Sequence, residues 1–304
     1  MKRFACVACA VLLVLAAGLL TFYFVKRNQL QAEWPDGLYF IQGDVAFESG
    51  GSFQAACLAV GKNSLEGLQQ NTTKLSLIDA QGKRFPAKYS VYATAAYPWF
   101  TLVTMNFSMD EAAPEAEFNR IEIAEKGRGE KQIQKVGKIC AKNVEFEENA
   151  FLFDSSMYLR SSSFCEEITY FAWNNTGNDL MITGIDMLSD NHPMLKDIRV
   201  CVRAEEGDPD AVALQAIGDG VAVGSKEGLL IVLTYDFSAL DAPYFLYDTP
   251  QISYTQKAEN NQKSGLCVPT NAIANEGLCN IPKLAGDDAS MTAIKQYIRE
   301  AREQ

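Results

Sequence analysis

The chain has 304 residues, of which 48% are hydrophobic, and it carries a formal net charge of −11. This acidity excludes the common nucleic-acid-binding classes, which need clustered Lys and Arg against phosphate. The length allows more than one domain, and the apolar content allows ordinary hydrophobic cores.

An uncharged apolar stretch near the start of the chain is the strongest single signal. Phe4–Val25 is bracketed by Lys2-Arg3 and Lys26-Arg27. As a helix it rises about 33 Å, enough to cross a hydrocarbon core of about 30 Å. The alternative is a cleavable signal peptide, but the apolar region of such a peptide usually spans only about 7–15 residues. We therefore predict a transmembrane anchor at 4–25 in the cell membrane, a cytoplasmic tip at 1–3, and the rest of the chain outside the cytoplasm.

Short patterned segments after the anchor predict a β-rich ectodomain. A polar stalk at 26–36 precedes them, and the clearest are Leu75–Ile78, Trp99–Phe107, Ile198–Arg203 and Leu229–Leu233. The first three largely alternate apolar with polar residues, which predicts strands with one buried face. The fourth is a continuous apolar run, which is typical of a central strand.

Two sets of landmarks recur in the same order along the chain. The first set is Cys57, Ile78-Asp79, Pro86, Asn106-Phe107-Ser108 and Arg120–Ile123. The second set is Cys165, Ile185-Asp186, Pro193, Asp236-Phe237-Ser238 and Gln251–Tyr254. Such ordered self-similarity is the trace of a repeated unit. We predict one β-sandwich domain at 37–143 and a second at 144–256, with an insertion in the second between Pro193 and Phe237.

A turn-rich segment lies between two β-forming segments in the second copy. Ile168–Trp173 and Leu180–Ile185 flank Asn174–Asp179, and this pattern predicts a β-hairpin. It resembles the strand, Asn-x-Gly, strand pattern of immunoglobulin-like domains in membrane-anchored surface proteins of unknown function, chiefly bacterial ones. The resemblance implies two tandem immunoglobulin-like β-sandwich domains and assigns no functional residue. No Cys, Trp, Cys arrangement with the spacing of antibody domains occurs in the sequence.

The tail at 257–304 combines two cysteines with an amphipathic segment. An even number of cysteines follows the anchor, which favours disulfides outside the cytoplasm, although their pairing is open. Cys267 and Cys279 bracket a short loop, so we predict a disulfide between them. One helical face then carries Met291, Ile294, Tyr297, Ile298 and Ala301. This face predicts either a helix that lies across a sandwich or a docking element for a partner.

The best candidate for a ligand site is the acidic segment 205–210. The carboxylates of Glu205, Glu206, Asp208 and Asp210 could wrap a hard cation such as calcium through oxygen ligands. The alternative is an acidic loop that is simply solvated.

The common catalytic constellations are absent from the sequence. The one histidine, His192, lies beside Pro193 in a predicted loop, and no Gly-x-Ser-x-Gly motif occurs. Gly218-Asp219-Gly220 has no βαβ unit around it, so it predicts a tight turn. We expect no enzyme, and an unrecognised site of paired carboxylates is the alternative.

Aromatic residues cluster at two places. Tyr89, Tyr92, Tyr97 and Trp99 lie beside a predicted strand, and Tyr244, Phe245 and Tyr247 follow the second set of landmarks. Such rings either pack in sandwich interiors or form a contact surface for a protein or a glycan.

Together these features predict a mainly β, single-pass membrane protein with a transmembrane helix, two tandem immunoglobulin-like β-sandwiches and a short C-terminal helix. Its predicted function is that of a non-catalytic binding or structural module at the cell surface, with a protein or glycan ligand. The alternatives are an accessory subunit of an envelope or secretion complex that docks through the C-terminal helix, and an enzyme with an acidic site.

Overall fold

A computed structural model of the chain describes Phe22 and most residues from Glu33 to Glu303. The described ranges beyond Phe22 are 33–109, 115–127, 129, 131–143, 151–153, 158–161, 165–189, 194–203, 214–248, 250–257, 262–267, 278–285 and 288–303. They form a mainly β structure with a C-terminal helix, which confirms the coarse fold class predicted from the sequence. Within these ranges no helix has the length and apolarity needed to cross a membrane. The predicted anchor, Phe4–Val25, lies outside them apart from Phe22.

The first unit contains strands β1 to β8 and a short helix. Its strands are β1 Gly37–Phe40, β2 Gly43–Glu48, β3 Ser52–Val60, β4 Lys74–Asp79, β5 Arg84–Ala96, β6 Thr101–Met109, β7 Ala116–Ala124 and β8 Gln132–Lys142. Helix α1, Lys62–Gln69, connects β3 to β4.

The second unit follows in the chain, and the C-terminal helices come last. Its strands are β9 Phe151–Phe153, β10 Tyr158–Ser161, β11 Cys165–Asn174, β12 Leu180–Met187, β13 Leu195–Arg203, β14 Val221–Val223, β15 Gly228–Asp236, β17 Pro250–Lys257 and β18 Gln262–Cys267. Two further short strands, β16 Phe245–Tyr247 and β19 Leu278–Cys279, join the sheet of the first unit instead. Helices α2, Ile281–Leu284, and α3, Asp288–Arg302, end the described chain.

The sheet of the first unit curls around one hydrophobic core. Its strand order is β1-β3-β6-β5-β4-β7-β8-β2-β16-β19. Only Ile41 and Gln42 separate β1 from β2, yet β1 pairs antiparallel with β3 and β2 pairs parallel with β8. The chain therefore switches partners between these two strands and brings the two ends of the β1 to β8 order together around Phe40, Phe53 and Phe107.

The long strand β5 connects the two layers of the first unit. Its first part, residues 84–87, pairs with β4, whereas residues 87–96 pair with β6. A bulge between Val91 and Ala93 interrupts the second ladder. The alternating burial of residues 85–91 reflects one face packed on the core, as expected of a strand at the surface of a sandwich.

A five-stranded layer and a four-stranded layer enclose the core of the second unit. One has the order β10-β11-β15-β13, with β9 also paired to β11, and the other has the order β14-β12-β17-β18. Strand β15 lies between two partners and is buried through most of its length, which confirms that Leu229–Leu233 is a central strand. Both layers contribute to the core, for example through Ile231 and Ile252.

The two units repeat one strand order. In the first, β1-β3-β6-β5 lies against β4-β7-β8; in the second, β10-β11-β15-β13 lies against β12-β17-β18. The predicted landmarks fall on matching strands, since Ile78-Asp79 is on β4 and Ile185-Asp186 is on β12. Likewise Cys57 is on β3 and Cys165 is on β11. The order of the strands in space thus follows the order of the sequence landmarks.

The predicted hairpin at Asn174–Asp179 is wrong in its pairing, although both of its strands exist. Strand β11 belongs to one layer of the second unit and β12 to the other, so the turn crosses between layers. The side chain of Asn174 holds this crossing: its amide donates to the carbonyl of Asn178, and its oxygen accepts from Thr176. Local sequence cannot distinguish a hairpin within one sheet from a connection between two layers, because both consist of two strands and a turn.

The insertion predicted in the second copy is partly a strand. Residues 204–213 lie outside the described part of the chain, but 214–224 run back along the unit. Gln215 bridges to Val200 in β13, and β14 pairs with β12 at the edge of the other layer.

Candidate functional site

The acidic site predicted at Glu205, Glu206, Asp208 and Asp210 lies outside the described residues, as does His192. Within the described ranges no group of three or more His, Cys, Asp or Glu side chains is placed to hold a metal ion. The calcium site therefore stays a prediction.

The predicted disulfide also stays a prediction. Cys267 ends β18, which pairs with β17, whereas Cys279 ends β19, which pairs with β16 in the sheet of the first unit. The side chain of Cys267 lies outside the described part of the structure. Among the described cysteine side chains, Cys57, Cys140, Cys201 and Cys279, no two are joined by a disulfide.

One buried carboxylate of the described structure, that of Glu122, is held by two basic side chains. Glu122 is 6% exposed and accepts from Lys131 at 2.7 Å and from Arg84 at 2.9 Å. The hydrogen bond from Lys131, aided by Arg84, holds the pKa of the Glu122 carboxyl below its usual value despite the opposing effect of burial. A carboxylate that keeps its charge in this way is a poor general acid.

A second polar contact joins the two units. The hydroxyl of Tyr244 donates to Oδ2 of Asp44 at 2.6 Å. Burial first, and then the hydrogen bond to the Asp44 carboxylate, raises the pKa of the Tyr244 hydroxyl. Nearby, the buried side chain of Asn280 accepts from the backbone N–H of Tyr244 at 2.8 Å and donates to the carbonyl of Ala242 at 2.9 Å. These contacts fix the segment that carries β16.

The thiol of Cys57, in the core of the first unit, is not activated as a nucleophile. Cys57 is fully buried in β3, and burial raises the pKa of its thiol. The thiol form is a weak nucleophile, so Cys57 acts as a small apolar side chain. A cavity of about 10 Å³ in the same core is lined by apolar side chains such as Phe40, Phe53 and Phe107, and it has room for no more than a water molecule.

The amphipathic tail forms helix α3, and its apolar face packs on the first unit. Ile294, Ile298 and Ala301 belong to the core of that unit. The hydroxyl of Tyr297 donates to the carbonyl of Phe40 and accepts from the backbone N–H of Gln42 at 2.8 Å. The helix therefore covers the point where the chain switches from β1 to β2.

The surface that stands out is the end of the β5–β6 hairpin, which we call the aromatic tip and define as Tyr92–Phe100 together with Trp34. Of the four aromatic residues predicted here, Tyr92 and Trp99 are exposed, at 50% and 43%. Tyr89 and Tyr97 are instead half-buried against the core, so the predicted cluster divides between a surface and an interior role.

Four rings of the aromatic tip stack on one another. The ring centroids of Trp99 and Trp34 lie 6.3 Å apart with the planes 14° from parallel, and Phe100 lies 5.8 Å from Trp34. Tyr97 stacks on Phe100 at 4.8 Å. The Nζ of Lys295, from α3, lies 5.7 Å from the centroid of Trp34. Such a platform of fixed rings suits apolar or amphipathic ligands.

The sequence identified Trp99 but missed the part played by Trp34, which it assigned to the end of the stalk. A signal for the uncharged tip itself was available, because Tyr89 to Met109 contains no charged side chain in an otherwise acidic chain. Pairing of Trp34 with Trp99 joins residues far apart in sequence, so no local pattern predicts it.

Comparisons with known proteins give no family. No known protein family matches the chain, and no curated protein matches it. One solved structure that aligns with it is described as the complete structure of manganese lipoxygenase of Gaeumannomyces graminis and partial structure of zonadhesin of Komagataella pastoris. The alignment has 7% identity and a TM-score of 0.24, and it covers 81% of this chain and 96% of the other. A likeness this weak carries no information on function.

Proposed function

We propose that the protein is a non-catalytic binding or structural module at the outer side of a cell membrane, anchored by Phe4–Val25 and built from two immunoglobulin-like β-sandwiches. Strand order supports the sandwiches. In the usual lettering, β1, β3, β6 and β5 correspond to strands A, B, E and D, and β4, β7 and β8 to C, F and G. The second unit has the same correspondence, which also supports duplication.

The main support for a module that holds a binding surface in place is the way in which its two units are joined. Strand β16 follows β15 of the second unit in the chain but pairs in parallel with β2 of the first. Phe245 and Tyr247 pack in the first core, whereas Leu246, between them, packs in the second. A strand shared in this way locks the two sandwiches, so that they hold a surface at a fixed position instead of moving on a linker.

The polar groups of the described residues support a role without catalysis. The Glu122 and Tyr244 clusters each use their charge or hydroxyl to join strands. The aromatic tip offers apolar contact area, and burial raises the pKa of its Tyr97 hydroxyl, which keeps that group neutral. Binding through shape and apolar contact is therefore the chemistry that these residues supply.

Membrane fractionation tests the proposal. The full chain should stay in the membrane pellet after alkaline carbonate extraction. A variant that lacks residues 4–25 should move to the soluble fraction and keep the β-sheet signal and the cooperative unfolding of the ectodomain. A matched control replaces Leu19 and Leu20 with Ala, which keeps the segment apolar and should keep the protein in the pellet. Recovery of the full chain in the soluble fraction would contradict the anchor.

A further inference from the structure

The aromatic tip is an uncharged surface at the end of an acidic ectodomain. Charged residues flank the hairpin only at its base, where Lys88 pairs with Ser108 and Asp110 follows β6. The distance along β5 from Lys88 to Ala96 is about 27 Å. Residues 92–96, Pro98 and Trp99 are exposed between these points. The end of the hairpin therefore presents rings and small side chains without ionic groups.

The tip lies where the chain enters the folded region. Trp34, on which Trp99 stacks, follows Val25 by nine residues. That interval covers about 14 Å as a helix and at most about 30 Å when extended. The headgroup layer on each side of a bilayer is roughly 5–8 Å thick. A membrane entered by the anchor therefore lies within one short segment of Trp99.

The chemistry of this end of the molecule fits a lipid surface. Trp and Tyr side chains favour the headgroup level of bilayers, because their rings are amphipathic. Lys295 lies over Trp34 and pairs with Glu33 at 2.8 Å, so this carboxylate is neutralised. Further along the same helix, exposed Arg299 and Arg302 alternate with exposed Glu300 and Glu303, so Lys295 is the basic group that the described structure places at the rings. Aromatic rings with a lysine beside them are common at a membrane-facing edge.

We propose that the aromatic tip rests in the headgroup layer of the membrane that holds the anchor, with Trp99 as the principal contact. This inference rests on the anchor of the proposed function. It adds that the first sandwich lies against the bilayer instead of standing away from it on a flexible stalk. The second sandwich is then held at a set height, because β16 and the shared core fix it to the first.

Fluorescence quenching by brominated lipid tests the contact. The full chain is reconstituted in phosphatidylcholine vesicles with or without bromine near the headgroup end of the acyl chains. Brominated lipid should lower the tryptophan emission of the native chain by about a third, because one ring of the three tryptophans lies at the headgroup level near the bromine. Trp99→Phe should remove most of the quenching, because the remaining tryptophan of the tip, Trp34, is buried. Trp173→Phe, which alters a ring in the second unit, should leave the quenching in place.

The outcomes separate this inference from the anchor. A chain that floats with the vesicles but shows no bromine quenching would overturn the lipid contact and leave the anchor intact, and it would assign the tip to a protein or a glycan. A chain that does not float with the vesicles would overturn both proposals. Because Phe keeps a ring on Trp34 at this partly exposed position, Trp99→Phe should keep the unfolding midpoint of the native chain, which excludes misfolding as the cause of lost quenching.

Discussion

At Gly43 three strands approach more closely than a side chain permits. A Cβ atom at this position would lie 1.7 Å from the carbonyl oxygen of Phe245 in β16. On the other side, a Cβ at Gly137 would lie 2.2 Å from the carbonyl oxygen of Gly43, and Gly137 has a φ of 81°. The parallel ladder of β8, β2 and β16 thus depends on two glycines that face each other.

We therefore expect Gly43→Ala to separate β2 from β16. The backbone oxygen of Phe245 cannot rotate away without losing its strand, so the free energy of unfolding should fall by about 3–5 kcal/mol. Urea unfolding measures the loss. The matched control is Gly184→Ala in β12, where the added Cβ would lie 3.9 Å from Ser253. Equal stability of the two variants would show that the close approach is not required.

The Glu122 cluster predicts a pH dependence. Its pKa is lowered in the folded state, chiefly by the hydrogen bond from Lys131, so the carboxylate stabilises the fold above the pKa of the unfolded chain. That contribution is lost as the pH falls from the unfolded value, near 4.5, through the lower folded value. We expect Glu122→Gln to be less stable than the native chain at pH 7 and to lose less stability on acidification. Urea unfolding at pH 7 and pH 3 measures the difference.

Glu117→Gln is the control for this prediction. Glu117 pairs with Lys138 at 3.7 Å, and both side chains are more than half exposed. Exposed pairs contribute little, so this change should leave the pH profile as it is. If both variants gave the native profile, the Glu122 cluster would not contribute to acid sensitivity.

Among the elements, helix α3 does more than cover the core, because it also supplies hydrogen bonds to the backbone of the first unit. Its Tyr297 hydroxyl donates to the carbonyl of Phe40 and accepts from the N–H of Gln42, the two backbone groups at the switch from β1 to β2. Without it, these groups would lack a partner where the ladder of β1 with β3 ends. The helix therefore completes the hydrogen bonding of a strand switch.

Tyr297→Phe should cost about 2–3 kcal/mol, because two largely buried backbone groups lose their hydrogen bonds while the ring stays in place. Thermal or urea unfolding measures this loss. Gln296→Ala, in the same helix, removes an exposed bond to Glu300 and should cost less than about 0.5 kcal/mol. If both variants lost less than about 0.5 kcal/mol of unfolding free energy, the Tyr297 hydrogen bonds would not stabilise the strand switch.

On the scale of the whole molecule, the two units share structure. Strand β16 and the alternate packing of Phe245, Leu246 and Tyr247 make each core depend on the other. Repeats joined by an extensive interface unfold together, whereas repeats on a linker unfold separately.

We therefore expect a single unfolding transition, with the tryptophans of the first unit and Trp173 of the second reporting the same midpoint. Phe245→Ala should uncouple the units and give the first unit a lower midpoint than the second. Leu68→Ala, in α1 and away from β16, is the control: it should lower both midpoints together. Two separate midpoints in the native chain would contradict the coupling.

The sequence determined the elements whose signal is local. Alternation of apolar and polar residues located β4 and β13, and the apolar run at Leu229–Leu233 located the centre of β15. The spacing of apolar residues located α3. The landmarks that predicted duplication lie on matching strands because the period of a strand and the residues that end it are properties of short segments.

Only the tertiary structure decided how these elements meet. It sends Asn174–Asp179 across two layers, inserts β16 beside β2, buries the face of α3 and stacks Trp99 on Trp34. Each of these contacts joins segments that are far apart in the chain. The local pattern of one segment is compatible with several different partner segments. The choice among them comes from burying both apolar faces at once, which is a property of the packed molecule and not of any one segment.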